Sequence, residues 1–201
     1  MVLRTTFGDR RVPRWRPSWR ICNAPLVYLD LETTGLYPEK GHRITEIGLI
    51  DGGGTRLHRD LEDSDDDAEI KALNQLANEL ADLVVVGHNI LFDLQFMAER
   101  GHRLGVKLPQ VGVVDTLGLA RHFLDIDDED TDQDGPIDLT LAQVADDLDI
   151  DIPQELHRAL PDARLCRSVL DALIERFQLQ TLRDIHIRRL RLQYTPGGGP
   201  R

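Results

Sequence analysis

Five side chains have the types and spacing that could do chemistry: Asp30 and Glu32, then Asp93, then His157 with Asp162 five positions on. Asp30 and Glu32 close the apolar run Leu26-Val27-Tyr28-Leu29, which reads as a strand buried on both faces. An unpaired charge in such a place costs several kcal/mol. Residues two apart on a strand point to one face, so the two carboxylates project together, and like charges that close suppress each other's ionisation unless a cation lies between them. A hard divalent ion, Mg²⁺ or Mn²⁺, suits carboxylates combined with water and a substrate phosphate. Taken alone, Asp-x-Glu is a frequent tripeptide, and a surface strand with two incidental acids would read the same way.

Asn89 and Asp93 are four apart on a helix predicted to leave the apolar strand 83–86, and so share a face at its N-terminal end. In isolation Asp93 is also a first-turn acid of the kind the helix dipole favours, and His88 reads as a structural histidine. Pro161 is well placed as the first residue of the last helix. That puts Asp162 in the opening turn and His157 in the loop before it, where a near-neutral imidazole suits general-base work.

The elements that must position these groups follow from periodicity. Strands are expected at 26–32, 43–51, 55–60, 83–86 and 111–116, the first three as a meander turned by Gly52-Gly53-Gly54. Helices are expected at 69–81, 90–101, 117–124, 139–148 and 161–179, where apolar residues recur every three or four positions. Meander first and alternation later implies an α/β domain, a five-stranded mixed sheet flanked by helices.

With 201 residues, 41% of them hydrophobic, the chain can bury one core but is short for two. The expected organisation is a basic arm over 1–23 carrying Trp15 and Trp19, one catalytic domain over 24–182, and a basic, partly disordered tail over 183–201. The arm reads either as a flexible tail or as a cation and aromatic patch that grips a single strand. A net charge of −11 argues against a protein that coats nucleic acid through a large basic surface, yet a carboxylate site meets phosphate through its cations. The acidic stretches 60–69 and 125–138 read as solvated loops that repel phosphate, so a strand should approach from another side. Cys22 and Cys166 match neither a disulfide framework nor a zinc site. With no segment resembling a membrane span or signal peptide, the expected setting is cytoplasmic.

Val27-Tyr-Leu-Asp-Leu-Glu-Thr-Thr-Gly-Leu36, Gly87-His-Asn-Ile-Leu-Phe-Asp93 and His157-Arg-Ala-Leu-Pro-Asp-Ala163 resemble the three motifs of the DEDDh group of 3′-to-5′ exonucleases. That group includes the proofreading epsilon subunit of bacterial DNA polymerase III and RNase T. The resemblance runs from about Leu26 to Phe177 and implies an RNase H-like fold and two-metal hydrolysis of the terminal phosphodiester to nucleoside 5′-monophosphates. It implies that Asp30, Glu32 and Asp162 hold one Mg²⁺ or Mn²⁺, that Asp30 bridges to a second ion supported by Asp93, and that His157 is the base. It assigns Thr33, Thr34, Gly35, Leu36, His88, Asn89 and Phe92 to the substrate, with Leu36 wedged against the terminal base and Glu32 also meeting the 3′-hydroxyl. The implied partners are 3′ ends of single-stranded DNA or RNA, with DNA favoured and roles in proofreading or DNA repair, and a polymerase or other nucleic-acid enzyme reached through the basic ends. The chain departs from the group over 51–69, where many relatives carry a longer third strand and a His-Gly-Ile segment. That side of the cleft is expected to be trimmed.

Overall fold

The computed structural model describes residues 15–124 and 139–192. The arm before Trp15, the acidic stretch 125–138 and the tail after Leu192 lie outside them.

Among the described residues, strands and helices run in the order β1 (Leu26–Thr33), β2 (Ile44–Asp51), β3 (Gly54–Asp60), α1 (Asp66–Leu80), β4 (Val84–Gly87), α2 (Ile90–Leu104), β5 (Gln110–Asp115), α3 (Thr116–Phe123), α4 (Leu141–Asp147), α5 (Ala159–Phe177) and β6 (Arg188–Arg191). The sheet order is β3-β2-β1-β4-β5-β6. Strands β1, β2 and β3 form the antiparallel meander, β4 and β5 extend β1 in parallel, and β6 returns antiparallel on β5. The sheet is therefore six-stranded, one strand more than expected. The extra strand hides in a run of arginines: only Leu190 of its four residues is buried, so the alternation of an edge strand is written in Arg rather than in apolar residues.

Both faces of β1 are covered, which is why its sequence is nearly all apolar. Val27, Leu29 and Leu31 belong to the core under α1 and α2 together with Leu73, Leu76, Leu94 and Phe96. Tyr28 belongs to the core under α5, with Ile50, Val84, Val86, Val169 and Leu173. Asp30 and Glu32 continue the Tyr28 face, so the α5 side of the sheet changes from apolar to acidic along β1.

The boundaries expected at 23 and 183 fall inside packed structure. Trp15 is buried, its ring lying where a Cβ on Gly112 of β5 would stand 2.7 Å away, and the Arg189 guanidinium sits 5.3 Å over it. Ile21 N–H donates to Gln180 at 2.8 Å, Leu182 N–H to Trp19 at 2.9 Å and Arg183 N–H to Pro17 at 2.8 Å. Thus the described part of the arm and the chain after α5 are stitched together beside β6.

Glu69, where the expected acidic loop 60–69 meets the expected helix 69–81, lies one turn into α1 and is buried. The helix starts earlier than its apolar period suggests because Asp65 caps it, its carboxylate accepting from the Ala68 amide at 2.9 Å, and acids favour a first turn. Arg100 of α2 meets Glu69 in a fork, Nε to Oε1 at 2.7 Å and Nη2 to Oε2 at 2.6 Å. Among the described residues no helix is long and apolar enough to cross a membrane.

Candidate active site

The register of β1 on β2 builds the site. Gly48 stands opposite Asp30 and Glu46 opposite Glu32, and residues directly opposite share a face. At Gly48 the strand has no side chain, and the backbone of Ala159, the first residue of α5, lies where a Cβ would be. This close approach brings the first turn of α5 onto the carboxylates of β1. Asp30, Glu32 and Asp162 each place an oxygen within 4.8 Å of the others.

Helix α5 begins at Ala159, two residues ahead of the expected Pro161. His157 is exposed in the preceding loop at φ 63°, a left-handed backbone that few side chains adopt. Its N–H donates to Asp162 Oδ2 at 3.2 Å. The other oxygen, Oδ1, is buried without a hydrogen-bond partner, an arrangement that ordinarily costs about 1–3 kcal/mol.

Asp93 arrives from the other direction. Strand β1 pairs with β4 only through Tyr28, so the Leu31 amide beyond that point has no strand partner on that side. Asp93, buried in the first turn of α2, supplies the acceptor: Leu31 N–H donates to its Oδ1 at 3.0 Å. The site therefore lies at the C-terminal ends of β1 and β4, where the chain order of the sheet reverses and ligands gather in α/β folds.

The other residues singled out from sequence lie at the end of β1 and in the chain after it, and at the junction of β4 with α2. Thr33 Oγ1 donates to the Gly35 carbonyl at 2.9 Å, and Thr34 Oγ1 accepts from the Arg43 amide at 3.0 Å, shaping the loop that leaves β1. Leu36 is 66% exposed at its tip, an unusual placement for leucine. Asn89 has a left-handed backbone, φ 54°, and its N–H donates to Asp115 Oδ1 at 2.9 Å. Phe92 is half-buried, its ring 5.7 Å from that of Phe96. His88 turns both ring nitrogens to protein, one 3.1 Å from Thr116 Oγ1 and one 2.8 Å from the Leu139 carbonyl, tying β4 to α3 and to the approach of α4.

Burial and mutual repulsion load the carboxylates. Asp30 is held well above the usual carboxylate range by burial and then by Asp93, Asp162 and Glu32. Asp93 is likewise pushed well up by burial, against the opposing pull of its backbone hydrogen bonds. Burial raises Glu32 and Asp162 too, with the His157 amide working against it at Asp162. Such a set of hard oxygen donors, one of them orphaned, fits a divalent cation: positive charge would restore the ionised forms and satisfy Asp162 Oδ1.

Glu46 is the site residue that sequence reasoning missed. It is buried, and its carboxylate accepts from Arg158 Nε at 2.9 Å, from the Ala159 amide at 3.3 Å and from His58 Nε2 at 2.7 Å. Burial pushes it up, but these donors win and it is held below the ordinary glutamate range. The signal lay in Ile44-Thr-Glu-Ile-Gly48, an acid inside a buried strand, the same anomaly that marked Asp30. An open cleft of about 390 Å³ lies between Glu32, Thr33, Thr34, Glu46, His157 and Arg158, beside the carboxylates.

Comparison with known proteins bears on the fold and the family. In S. pombe Pop2p, in its Mg²⁺- and Mn²⁺-bound form, 79% of this chain overlies 86% of that one with a TM-score of 0.54 at 14% identity. E. coli Exonuclease I in complex with a dA16 oligonucleotide gives a TM-score of 0.53 at 15% identity, over 82% of this chain and 42% of that one. Brucella melitensis NrnC bound to pGG gives 0.50 at 19% identity, over 78% and 74%. At these identities the likeness is one of fold, RNase H-like and α/β. In sequence, 95 residues are 37% identical to a Mycobacterium tuberculosis protein named as a bifunctional exonuclease/endonuclease, and they span 47% of this chain but 14% of that protein. Residues 19–153, which include Asp30, Glu32 and Asp93, match the 3′-5′ exonuclease model; His157 and Asp162 lie beyond that range. The chain belongs to the 3′-5′ exonuclease family.

Proposed function

We propose that this protein removes nucleotides from the 3′ ends of single-stranded nucleic acid, DNA in preference to RNA, by metal-dependent hydrolysis. The observation that carries the reading is the convergence of Asp30, Glu32 and Asp162, drawn from the first strand and the last helix, with oxygens within 4.8 Å and one of them unpartnered. Asp30, Glu32 and Asp162 would hold one divalent cation, and Asp30 with Asp93 a second. Two Mg²⁺ or Mn²⁺ ions, when bound, supply charge that stabilises the attacking and leaving oxygens of an in-line displacement.

The chain's own residues divide the remaining work. His157, exposed beside the cleft, accepts the proton of the attacking water on its ring. Glu32 lines the cleft and faces the terminal 3′-hydroxyl, which restricts attack to the end of a strand. The backbone of Thr33, Thr34 and Gly35 lies along the terminal nucleotide, and the exposed Leu36 wedges against its base. Asn89, Phe92 and His88 bound the other side. The oligonucleotide complexes of E. coli Exonuclease I and Brucella NrnC support a single-stranded substrate, and the pGG complex supports short oligonucleotides as an alternative.

Matched 3′-terminal DNA and RNA strands of several lengths, incubated with the full chain and Mn²⁺, test this reading. A ladder shortening from the 3′ end with nucleoside 5′-monophosphate as product is expected, faster on DNA. Faster loss of RNA or of dinucleotides transfers the preference to the alternative, and internal cuts or no product overturn the exonuclease reading.

A further inference from the structure

The described chain is electrically two-sided. At the β3 edge of the sheet the exposed acids Asp60, Glu62, Asp63, Asp65, Asp66 and Asp67 end and follow the strand, whose own exposed Arg56 is paired with Asp51 and Glu79 and whose Arg59 bonds to Gln75. At the other edge the folding of both ends of the domain against one another gathers Arg16, Arg20, Arg183, Arg188, Arg189 and Arg191 beside β6. In a chain of net charge −11, this is a local reversal of sign, and a polyanion reaching the acidic centre meets repulsion from one edge and attraction from the other.

The basic edge connects to the site. Arg188 and His186 share a hollow of about 80 Å³ with Leu91, Asp115 and Leu119. Leu91 lies two residues before Asp93 on α2, and Asp115 Oδ1 accepts from the Asn89 amide, so the hollow touches the elements that bound the carboxylates. Two acids on this route have oxygens turned into backbone: Asp115 accepts from Asn89 and Leu117, and Asp184 from Gln180 and Thr181 at 3.0 and 2.8 Å. Aromatic surface accompanies the charge. The His186 ring lies 4.8 Å from that of His122 and stacks 6.0 Å from Phe123, while Trp19 is 38% exposed among the arginines. Guanidinium groups for phosphates and rings for bases are what a sequence-tolerant single-strand surface requires.

We infer that the β5–β6 edge is the track for the 5′-ward part of a single strand whose 3′ end occupies the carboxylate site, with Arg183 and Arg188 holding phosphates and Trp19 offering a base-stacking face. This rests on the exonuclease reading and adds what that reading leaves open: the direction in which the strand leaves and the residues that favour long strands over short ones.

The test uses the full chain carrying Asp30→Asn, so that binding is read without turnover, and fluorescence anisotropy with a trinucleotide and with a single strand of about 20 nucleotides. Adding Arg183→Glu and Arg188→Glu is expected to weaken the long strand at least tenfold relative to the trinucleotide, and to flatten its salt dependence by about 1.4, ~0.7 for each phosphate no longer neutralised. Arg183→Gln with Arg188→Gln, a milder pair, is expected to lower the long-to-short ratio in the same sense. An unchanged ratio in both pairs overturns the track and transfers the arginines to a protein partner. An equal loss on both lengths also overturns it, because the change then acts on the site itself. Failure of the exonuclease reading shows elsewhere, as a chain with Asp30 intact that releases no nucleotide.

Discussion

Glu46 stands directly opposite Glu32 in the β1–β2 ladder, and its carboxylate reaches across to Arg158 and to the amide of Ala159. Two like charges facing each other destabilise a strand pair, so Glu46 is retained here by what it holds: the residue after His157 and the first amide of α5. Glu46→Gln keeps the shape and removes the charge that binds Arg158. It is expected to lower kcat about tenfold with KM little changed, a fraction of the ~10²- to 10⁴-fold that a general base typically contributes. In a His157→Ala background the same change should have almost no further effect. Equal losses in both backgrounds would mean that Glu46 acts other than through the histidine.

Asp30 carries the opposite lesson about charge. Its carboxyl is held well above the unfolded value by burial and by Asp93, Asp162 and Glu32. A raised acid binds its proton more tightly in the folded state. The stability it contributes is present below the unfolded value near pH 4 and is lost as pH rises through the folded one. Metal-free protein should therefore melt lower at pH 7 than at pH 5, and Asp30→Asn should remove much of that difference, raising Tm at pH 7 by ~2–4 °C for each kcal/mol relieved. Mn²⁺ should raise Tm of the wild type and not of the variant. A variant that melts lower than the wild type at pH 7 in chelator would be the contrary result.

Gly48→Ala tests how α5 is seated. The added methyl would enter the backbone of Ala159, and either strand or helix must shift, at ~1–3 kcal/mol for overpacking. Because Asp162 rides on that helix turn, activity should fall more than stability does. Thermal melts beside Mn²⁺ titrations check it, with normal Mn²⁺ affinity as the opposing outcome.

Glu69→Ala leaves the buried Arg100 guanidinium without its fork and should destabilise by about 3–5 kcal/mol. Denaturant unfolding measures this, and the joint replacement of Glu69 and Arg100 by apolar residues should recover most of the loss.

How much of this was legible in sequence depends on the range of each cause. The β1 strand and its two acids are written locally, in an apolar run that ends in charge, and Asp162 in the turn around Pro161. Glu46 acts on residues more than a hundred positions away, so its partner was invisible even though its burial was not. The start of α5 moved to Ala159 because Glu46 and Gly48 receive it there, a tertiary influence that the Pro161 rule cannot contain. Strand β6 and Trp15 were hidden for one reason: arginine-rich segments read as tails until pairing with β5 and packing on Gly112 show what they cover.

Whether the converging carboxylates hydrolyse a 3′ end through bound cations is decided by release of nucleoside 5′-monophosphate from a 3′-labelled single strand, followed across a Mn²⁺ titration with wild type beside Asp162→Asn. Shortening from the 3′ end should saturate with Mn²⁺ and fall at least a hundredfold in the variant, ~10²- to 10³-fold being typical for loss of one charge-stabilising group. Hydrolysis that survives in chelator, or that is unaltered by Asp162→Asn, would contradict a metal-dependent site built on these residues.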